Sequence, residues 1–355
     1  MLSGTPLFIL LLAAGIAALY GGAELLVAGA GRLALGIGLR ATTVGVTVVA
    51  FATTAPELFV ATIGALNVST DIGFGAVVGS NIANIGLVLG VAALIKPLPI
   101  ADRVMRRHVP TMVLAAILLI GLGANGRIGR LEGAIFLLVL TGFTAFLVYY
   151  VNADPAPAAE NPDAGDGISL RDVALVVGGL VALLVGSRWL VAGGTGLLSA
   201  LGVSDFIIGL TVLALGTSLP ELAASVVGAV RGETEFAIGN VVGSNIYNVF
   251  AVLGIMALIT PIEIEPSTLR IELPIMIGFT LVLVGMMGYG RRLSRIDGAI
   301  LVAGYAGFIS FSFPDSIAFE RSSTVAAAAH IGCGVPSWTS RSSRAVVSRS
   351  RRGPR

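Results

Sequence analysis

TTAPEL at residues 53–58 and TSLPEL at 217–222 decide how this chain is read. Each sets a glutamate, Glu57 or Glu221, directly after a proline inside an otherwise apolar stretch. A carboxylate in a bilayer-spanning helix costs roughly 3 kcal/mol on insertion scales, so such a residue is a functional-site candidate by default. Two copies at one fixed offset argue against accident.

Working outward, residues 44–90 laid on 208–254 at a constant offset of 164 give 22 identities in 47 positions without a gap. The match continues upstream, where LLVAG at 25–29 sits over WLVAG at 189–193. With one added residue it continues downstream, where GRLEGAI at 129–135 sits over SRIDGAI at 294–300. The chain is an internal duplication.

Hydrophobic residues make up 55% of the 355 and charged residues 12%, and the mean hydropathy is +0.95. Most of the chain therefore has lipid as its solvent. Apolar runs of about 20 residues, enough to span, fall near 6–31, 42–66, 72–95, 108–124, 131–151, 172–200, 205–230, 236–260, 272–290 and 296–313. The expected fold is all-α and polytopic, with ten transmembrane helices, five per half. An odd number per half makes the second copy enter the membrane from the opposite side, the inverted-topology plan of many secondary transporters. Short alternating segments, the mark of a membrane barrel, are absent.

The expected boundaries are a first five-helix repeat over 1–151, an acidic Pro/Ala-rich linker over 152–170, a second five-helix repeat over 171–314, and an Arg/Ser-rich tail over 315–355 that reads as disordered. Loop charge orients the chain. With the N-terminus outside, the inner loops collect Lys96 and ten arginines from Arg32 to Arg295, and the outer loops only Arg127, Arg130 and Arg270. The arginines of the tail fit this orientation poorly. Glu24 and Arg188 occupy equivalent repeat positions, but inversion would set them on opposite faces, so both are read as interfacial and snorkelling.

Pro56 and Pro220 lack a backbone donor and crowd the carbonyls of Ala52 and Gly216, so each helix is expected to break or kink. Carbonyls freed at mid-membrane depth survive only beside a polar cavity or inside protein. Thr53, Thr54 and Glu57 stand at i, i+1 and i+4, as do Thr217, Ser218 and Glu221, so each half offers two hydroxyls and a carboxylate on one helix face. The next span reads GSNIANI at 79–85 and GSNIYNV at 243–249, pairing Ser80 with Asn84 and Ser244 with Asn248 at i, i+4. In isolation such hydroxyls bond their own backbone, and the glycines at four-residue spacing serve close helix packing.

Hard cations explain this inventory. Calcium takes six to eight oxygens, and two bidentate glutamates with two freed carbonyls already reach six while neutralising its charge. His108, His330 and Cys333 lie outside the repeated motifs, which argues against zinc or copper. No nucleophile accompanies the acids, so no enzyme and no cofactor is expected. A passive cation channel suits a duplicated site less well than alternating access does.

The segments VGVTVVAFATTAPELFVATIGAL with FGAVVGSNIANIGLVLG, and IGLTVLALGTSLPELAASVVGAV with IGNVVGSNIYNVFAVLG, resemble the two alpha repeats of the sodium/calcium exchanger family within the calcium:cation antiporter superfamily. The resemblance covers roughly residues 1–314. It implies two inverted five-helix repeats with the ion sites at their interface, and helices one and six that slide to alternate access. It also implies that Glu57 and Glu221 are central ligands shared by Ca2+ and Na+, completed by Thr53, Thr54, Thr217, Ser218, Ser80, Ser244, Asn84 and Asn248 and by the carbonyls of Ala50 and Ala214. Two departures stand out. Ala52 replaces a glycine common in the family, and Asn248 stands where many microbial relatives carry Asp, leaving two formal negative charges.

The sequence reading is thus an antiporter exchanging Ca2+ for Na+, its rival a Ca2+/H+ or K+-dependent exchanger on the same fold. It would sit in the plasma membrane with the lipid bilayer and its transported ions as partners. No nucleic acid or protein partner is indicated.

Overall fold

The computed structural model describes residues 5–36, 43, 45–67, 70–153, 169–201 and 216–312. Its chain is helical almost throughout, because in lipid every backbone polar group must find its partner within the segment. Helix α1 runs Thr5–Gly36. A wider, π-type turn over Gly45–Val49 leads into α2, Ala50–Asn67. Helix α3 starts as Thr70–Ala83, widens to a π-type stretch over Asn84–Leu89 and closes as Gly90–Ile95. Then come α4, Val109–Gly123, entered through π-type turns at Val104–His108, and α5, Arg130–Ala153.

The second half follows with α6, Leu170–Ala200, and α7, Leu219–Arg231. Helix α8 repeats the form of α3: Thr234–Tyr247, a π-type stretch over Asn248–Leu253, and Gly254–Ile259. Short α9, Pro266–Arg270, precedes α10, Glu272–Gly290, and α11, Arg295–Ser312. Among the described residues seven helices are long and apolar enough to cross a membrane. The expected spans 42–66 and 296–313 coincide with α2 and α11, which are not among the seven. The expected span 205–230 is described only from Gly216. Most of the expected linker and the whole expected tail lie outside the described residues.

Local chemistry sets the ends. Ser169 caps α6 by accepting from the Arg171 N–H at 3.2 Å. Glu132 accepts from the Gly129 N–H at 2.8 Å ahead of α5, and Asp297 accepts from the Ser294 N–H at 2.7 Å ahead of α11, the same acidic brace in both halves. Gly232 ends α7 at φ +90, a conformation that favours glycine.

Two packing features place the core. First, α1 and α6 run antiparallel along a shared seam. A Cβ on Gly22 would stand 2.8 Å from the Leu183 nitrogen, and one on Gly179 would stand 2.6 Å from the Leu26 nitrogen. Backbone meets backbone there, as small residues allow in membrane helices. Second, the α3 and α8 spans are 72% and 83% buried, against 22–39% for the other candidate spans. These two helices form the centre, and the peripheral helices turn side chains such as Leu10, Ile117 and Leu138 outward, as lipid-facing positions require.

Two short antiparallel ribbons tie the halves together. Strand β1, Leu98–Pro99, pairs with β4, Arg292–Leu293, and β2, Arg127–Ile128, pairs with β3, Ile262–Glu263. By the repeat alignment β1 corresponds to β3 and β2 to β4, so each ribbon takes one strand from each half. Glu24, read as interfacial, instead forms an ion pair with Arg231 at the end of α7, while Arg188 is exposed.

Candidate ion-binding site

Four helices meet around the two glutamates. Helix α2 carries Thr53, Thr54 and Glu57, α7 opens two residues before Glu221, and α3 and α8 bring the two Ser-Asn motifs. Helix α2 packs on the π-type stretch of α8, and α7 packs on that of α3. The acid-bearing helix of one half thus lies against the asparagine-bearing turn of the other. Asn84 and Asn248 are the first residues of those stretches. Such wide turns frequently mark functional sites, and no single local motif announced them in the sequence.

Of the two prolines, each expected to break or kink its helix, Pro220 stands at a break. Helix α2 stays helical across Pro56 from Ala50 to Asn67, and its irregular turn lies upstream at Gly45–Val49. In the second half a new helix begins at Leu219, with Pro220 in its first turn, where a missing N–H is tolerated. Thr217 and Ser218 therefore precede α7, Ser218 at its cap position, and do not share a helix face with Glu221. The Gly216 carbonyl, which Pro220 cannot engage, accepts from the Ser187 hydroxyl at 2.6 Å. Ser187, on α6, was invisible to the repeat comparison, since Ala23 is its counterpart.

Glu57, Glu221, Thr53, Thr54, Ser218, Ser80, Ser244, Asn84, Asn248 and Ala50 are all buried. Thr217 is half-buried, and Ala214 lies outside the described residues. The carboxylates of Glu57 and Glu221 are near enough to act on each other, and Thr53 lies beside Glu221. Among the described residues neither oxygen of either carboxylate has a hydrogen-bond partner. The same holds for both amide atoms of Asn84 and of Asn248, and for the hydroxyls of Thr54, Ser218 and Ser244. Buried polar atoms are paired in the great majority of cases, so this concentration of orphaned oxygens in one place is the strongest mark of the site. A small closely packed residue helps assemble it: a Cβ on Gly243 would meet the Ala50 Cβ at 2.6 Å, so glycine there lets α2 lie directly on α8.

The donor chemistry is that of a hard cation. Among the described residues no group of three or more His, Cys, Asp or Glu side chains gathers anywhere. The site therefore offers two carboxylates and a surround of neutral oxygens, suited to ions such as Ca2+ or Na+ and unsuited to soft metals. The sequence reading missed several polar residues. Asn240 and Ser225, both fully buried, join α8 to α7. Asn81 and Asn245 line a cavity of about 10 Å³ with Met112, Met276 and Thr280. Asn81 and Asn245 were legible in the repeat, standing one residue beyond Ser80 and Ser244. Asn240 and Ser225 were not, because Ala76 and Ala61 take their places in the first half.

Apolar spans around a buried pair of acids, lined with neutral oxygens, define an integral membrane protein of the ion-transporting class. Sequence comparison carries this further: the family described as "Sodium/calcium exchanger protein" matches residues 7–149 and 172–313, and the chain belongs to that family. It is 30% identical over 308 residues to sodium/calcium exchanger MaX1 of Methanosarcina acetivorans, covering 76% of this chain and 87% of that protein. It is 37% identical over 231 residues to inner membrane protein YrbG of Escherichia coli, covering 62% and 70%. The fold matches a solved structure of the sodium-calcium exchanger NCX_Mj, soaked with 10 mM Na+ and no Ca2+, at a TM-score of 0.74 and 27% identity. That match covers 87% of this chain and 99% of that one. The family and its structural neighbours are transporters, and the chain is not an enzyme.

Proposed function

We propose that this protein is a secondary antiporter that exchanges Ca2+ for Na+, binding either ion at Glu57 and Glu221 and exposing the site alternately to the two sides of the membrane. The single observation that carries this reading is the pair of buried carboxylates whose four oxygens have no hydrogen-bond partner among the described residues, set among similarly unpaired hydroxyl and amide oxygens from both halves. An isolated buried charge is costly, and a cation that must later leave explains why, among the described residues, no arginine or lysine satisfies it. Thr53, Thr54, Thr217, Ser218, Ser80, Ser244, Asn84 and Asn248, with the Ala50 and Ala214 carbonyls, would complete the coordination.

The same reading takes the protein as ten transmembrane helices in two inverted five-helix repeats, with the N-terminus outside and the plasma membrane as its site. Three features support the inversion. Helix α1 and its repeat counterpart α6 run antiparallel. The β1–β4 ribbon joins two loops that loop charge assigns to the inner face, and β2–β3 joins two loops it assigns to the outer face.

The test is Ca2+ uptake into sodium-loaded proteoliposomes diluted into sodium-free or sodium-containing buffer, with internal pH followed and Glu57→Gln as control. Uptake that needs the outward sodium gradient and vanishes in the variant is the expected result. Uptake that ignores sodium and follows a proton gradient would overturn the coupling to sodium.

A further inference from the structure

Asn240 on α8 is fully buried and reaches both acid-bearing helices. Its Nδ2 donates to the Ser225 hydroxyl at 3.0 Å and to the backbone carbonyl of Glu221 at 3.4 Å. Its Oδ1 accepts from the Thr53 hydroxyl at 3.5 Å. The orientation of the amide is dictated by chemistry, since a peptide carbonyl can only accept, so the NH2 must face Glu221 and the oxygen must face Thr53. Thr53 lies one turn before Glu57 on α2. A single side chain therefore connects the Glu57 helix to the main chain of Glu221 itself.

We infer that Asn240 is a positioning residue that sets the Thr53 hydroxyl and the Glu221 main chain for the bound cation; this rests on the ion-binding reading above. One proton decides which oxygens are free for the ion. Besides the Glu221 carboxylate it lies next to, the Thr53 hydroxyl has three acceptors within 3.5 Å, the carbonyls of Val49 at 3.1 Å and Ala50 at 3.3 Å, and Asn240 Oδ1 at 3.5 Å. It can donate to one at a time, and a threonine in a helix by default bonds back to its own backbone. In that arrangement the proton occupies a carbonyl that the cation needs. A cation held by the Ala50 carbonyl and by the hydroxyl oxygen repels the proton from both, and Asn240 Oδ1 receives it. No bond to the ion is made by Asn240, because its amide atoms are engaged elsewhere.

This device belongs to one half only. Ala76 and Ala61 stand where the second half has Asn240 and Ser225, and alanine can neither accept from Thr217 nor donate to the Glu57 carbonyl. Thr53 is therefore held by a bridge that Thr217 lacks, and the two otherwise matched halves present unequal ligands to the ion.

The experiment is a thermal-unfolding titration of the purified full chain with CaCl2, reading the concentration needed for one fixed stabilisation, which scales with the dissociation constant. Asn240→Leu, similar in size and without polar atoms, is expected to raise that concentration about tenfold, the worth of one strong hydrogen bond. Thr53→Ala should do at least the same, and the double variant should fall short of the product of the two singles, because the Thr53–Asn240 bond is common to both. Thr217→Ala should multiply with Asn240→Leu. Should leucine prevent folding, Asn240→Ala, the residue of the first half, is read in the same way. An unchanged CaCl2 concentration for that stabilisation, or full multiplication between Asn240 and Thr53, overturns the inference and leaves Asn240 as packing alone. Wild-type protein that gains no stability from CaCl2 overturns the ion-binding reading, and this one with it.

Discussion

Replacing Glu221 by glutamine keeps the side chain's shape and removes one of two buried negative charges. At an effective dielectric constant of about 20, two unit charges at about 4 Å interact by about 4 kcal/mol, and a divalent ion doubles that. Dehydration of the ion and carboxylate takes back on the order of half. The loss is then about 4 kcal/mol for Ca2+ and about 2 kcal/mol for Na+, or about a thousandfold and about thirtyfold in dissociation constant. The assay is thermal unfolding in detergent. Ca2+ at about 100 times its dissociation constant stabilises wild-type protein by about 2.7 kcal/mol, and for a chain of this size that moves the midpoint by about 4 °C. At the same Ca2+ concentration Glu221→Gln should show no shift, whereas raised NaCl should still recover one. Without added ions the variant should be at least as stable as wild type, because the unpaired carboxylate is the costly state. Equal losses for the two ions would refute the reasoning, as would a variant that keeps the wild-type Ca2+ midpoint.

Two further outcomes follow from the fold. Gly22→Leu would drive a side chain into the Leu183 and Gly179 backbone; it should destabilise by about 1–3 kcal/mol and slow exchange more than it weakens Ca2+ stabilisation, which unfolding and flux on one preparation would separate. With Cys333 removed, a cysteine introduced at Asn125 should react with a membrane-impermeant thiol reagent in intact cells and one at Lys96 should not; the reverse pattern would invert the topology.

How much of this was legible beforehand follows from what a duplicated sequence reveals. Comparing the halves amplifies what they share, and so Glu57 with Glu221, Ser80 with Ser244 and Asn84 with Asn248 stood out; all are buried, and all but Ser80 carry oxygens without a hydrogen-bond partner among the described residues. The same comparison suppresses what differs. Asn240, Ser225 and Ser187 face alanines in the alignment, and their role depends on contacts between helices far apart in sequence. Proline gave an incomplete guide for a physical reason. It removes one hydrogen bond and crowds one carbonyl, but whether the chain breaks depends on whether another group takes that carbonyl. Ser187 does so for Gly216, and the chain opens a new helix at Leu219. At Pro56 the helix continues, with its irregular turn moved upstream to Gly45–Val49.

The charge count decides which half of the cycle should feel the membrane potential. Glu57 and Glu221 supply two negative charges, and the other candidate ligands, Asn84 and Asn248 included, supply none. With one Ca2+ bound the site is neutral. Were three Na+ to load the same site, it would carry one positive charge. Moving a unit charge across 100 mV is worth about 2.3 kcal/mol, so the sodium-loaded passage should be voltage-dependent and the calcium-loaded passage nearly silent. Asn248→Asp would add a third negative charge, making the sodium-loaded site neutral and the calcium-loaded site negative. Charge movement on supported membranes should then appear after a Na+ jump in wild type, and after a Ca2+ jump in the variant. Wild-type protein that moves charge after a Ca2+ jump alone would show that a further ionised group travels with the site, and would refute a two-carboxylate carrier.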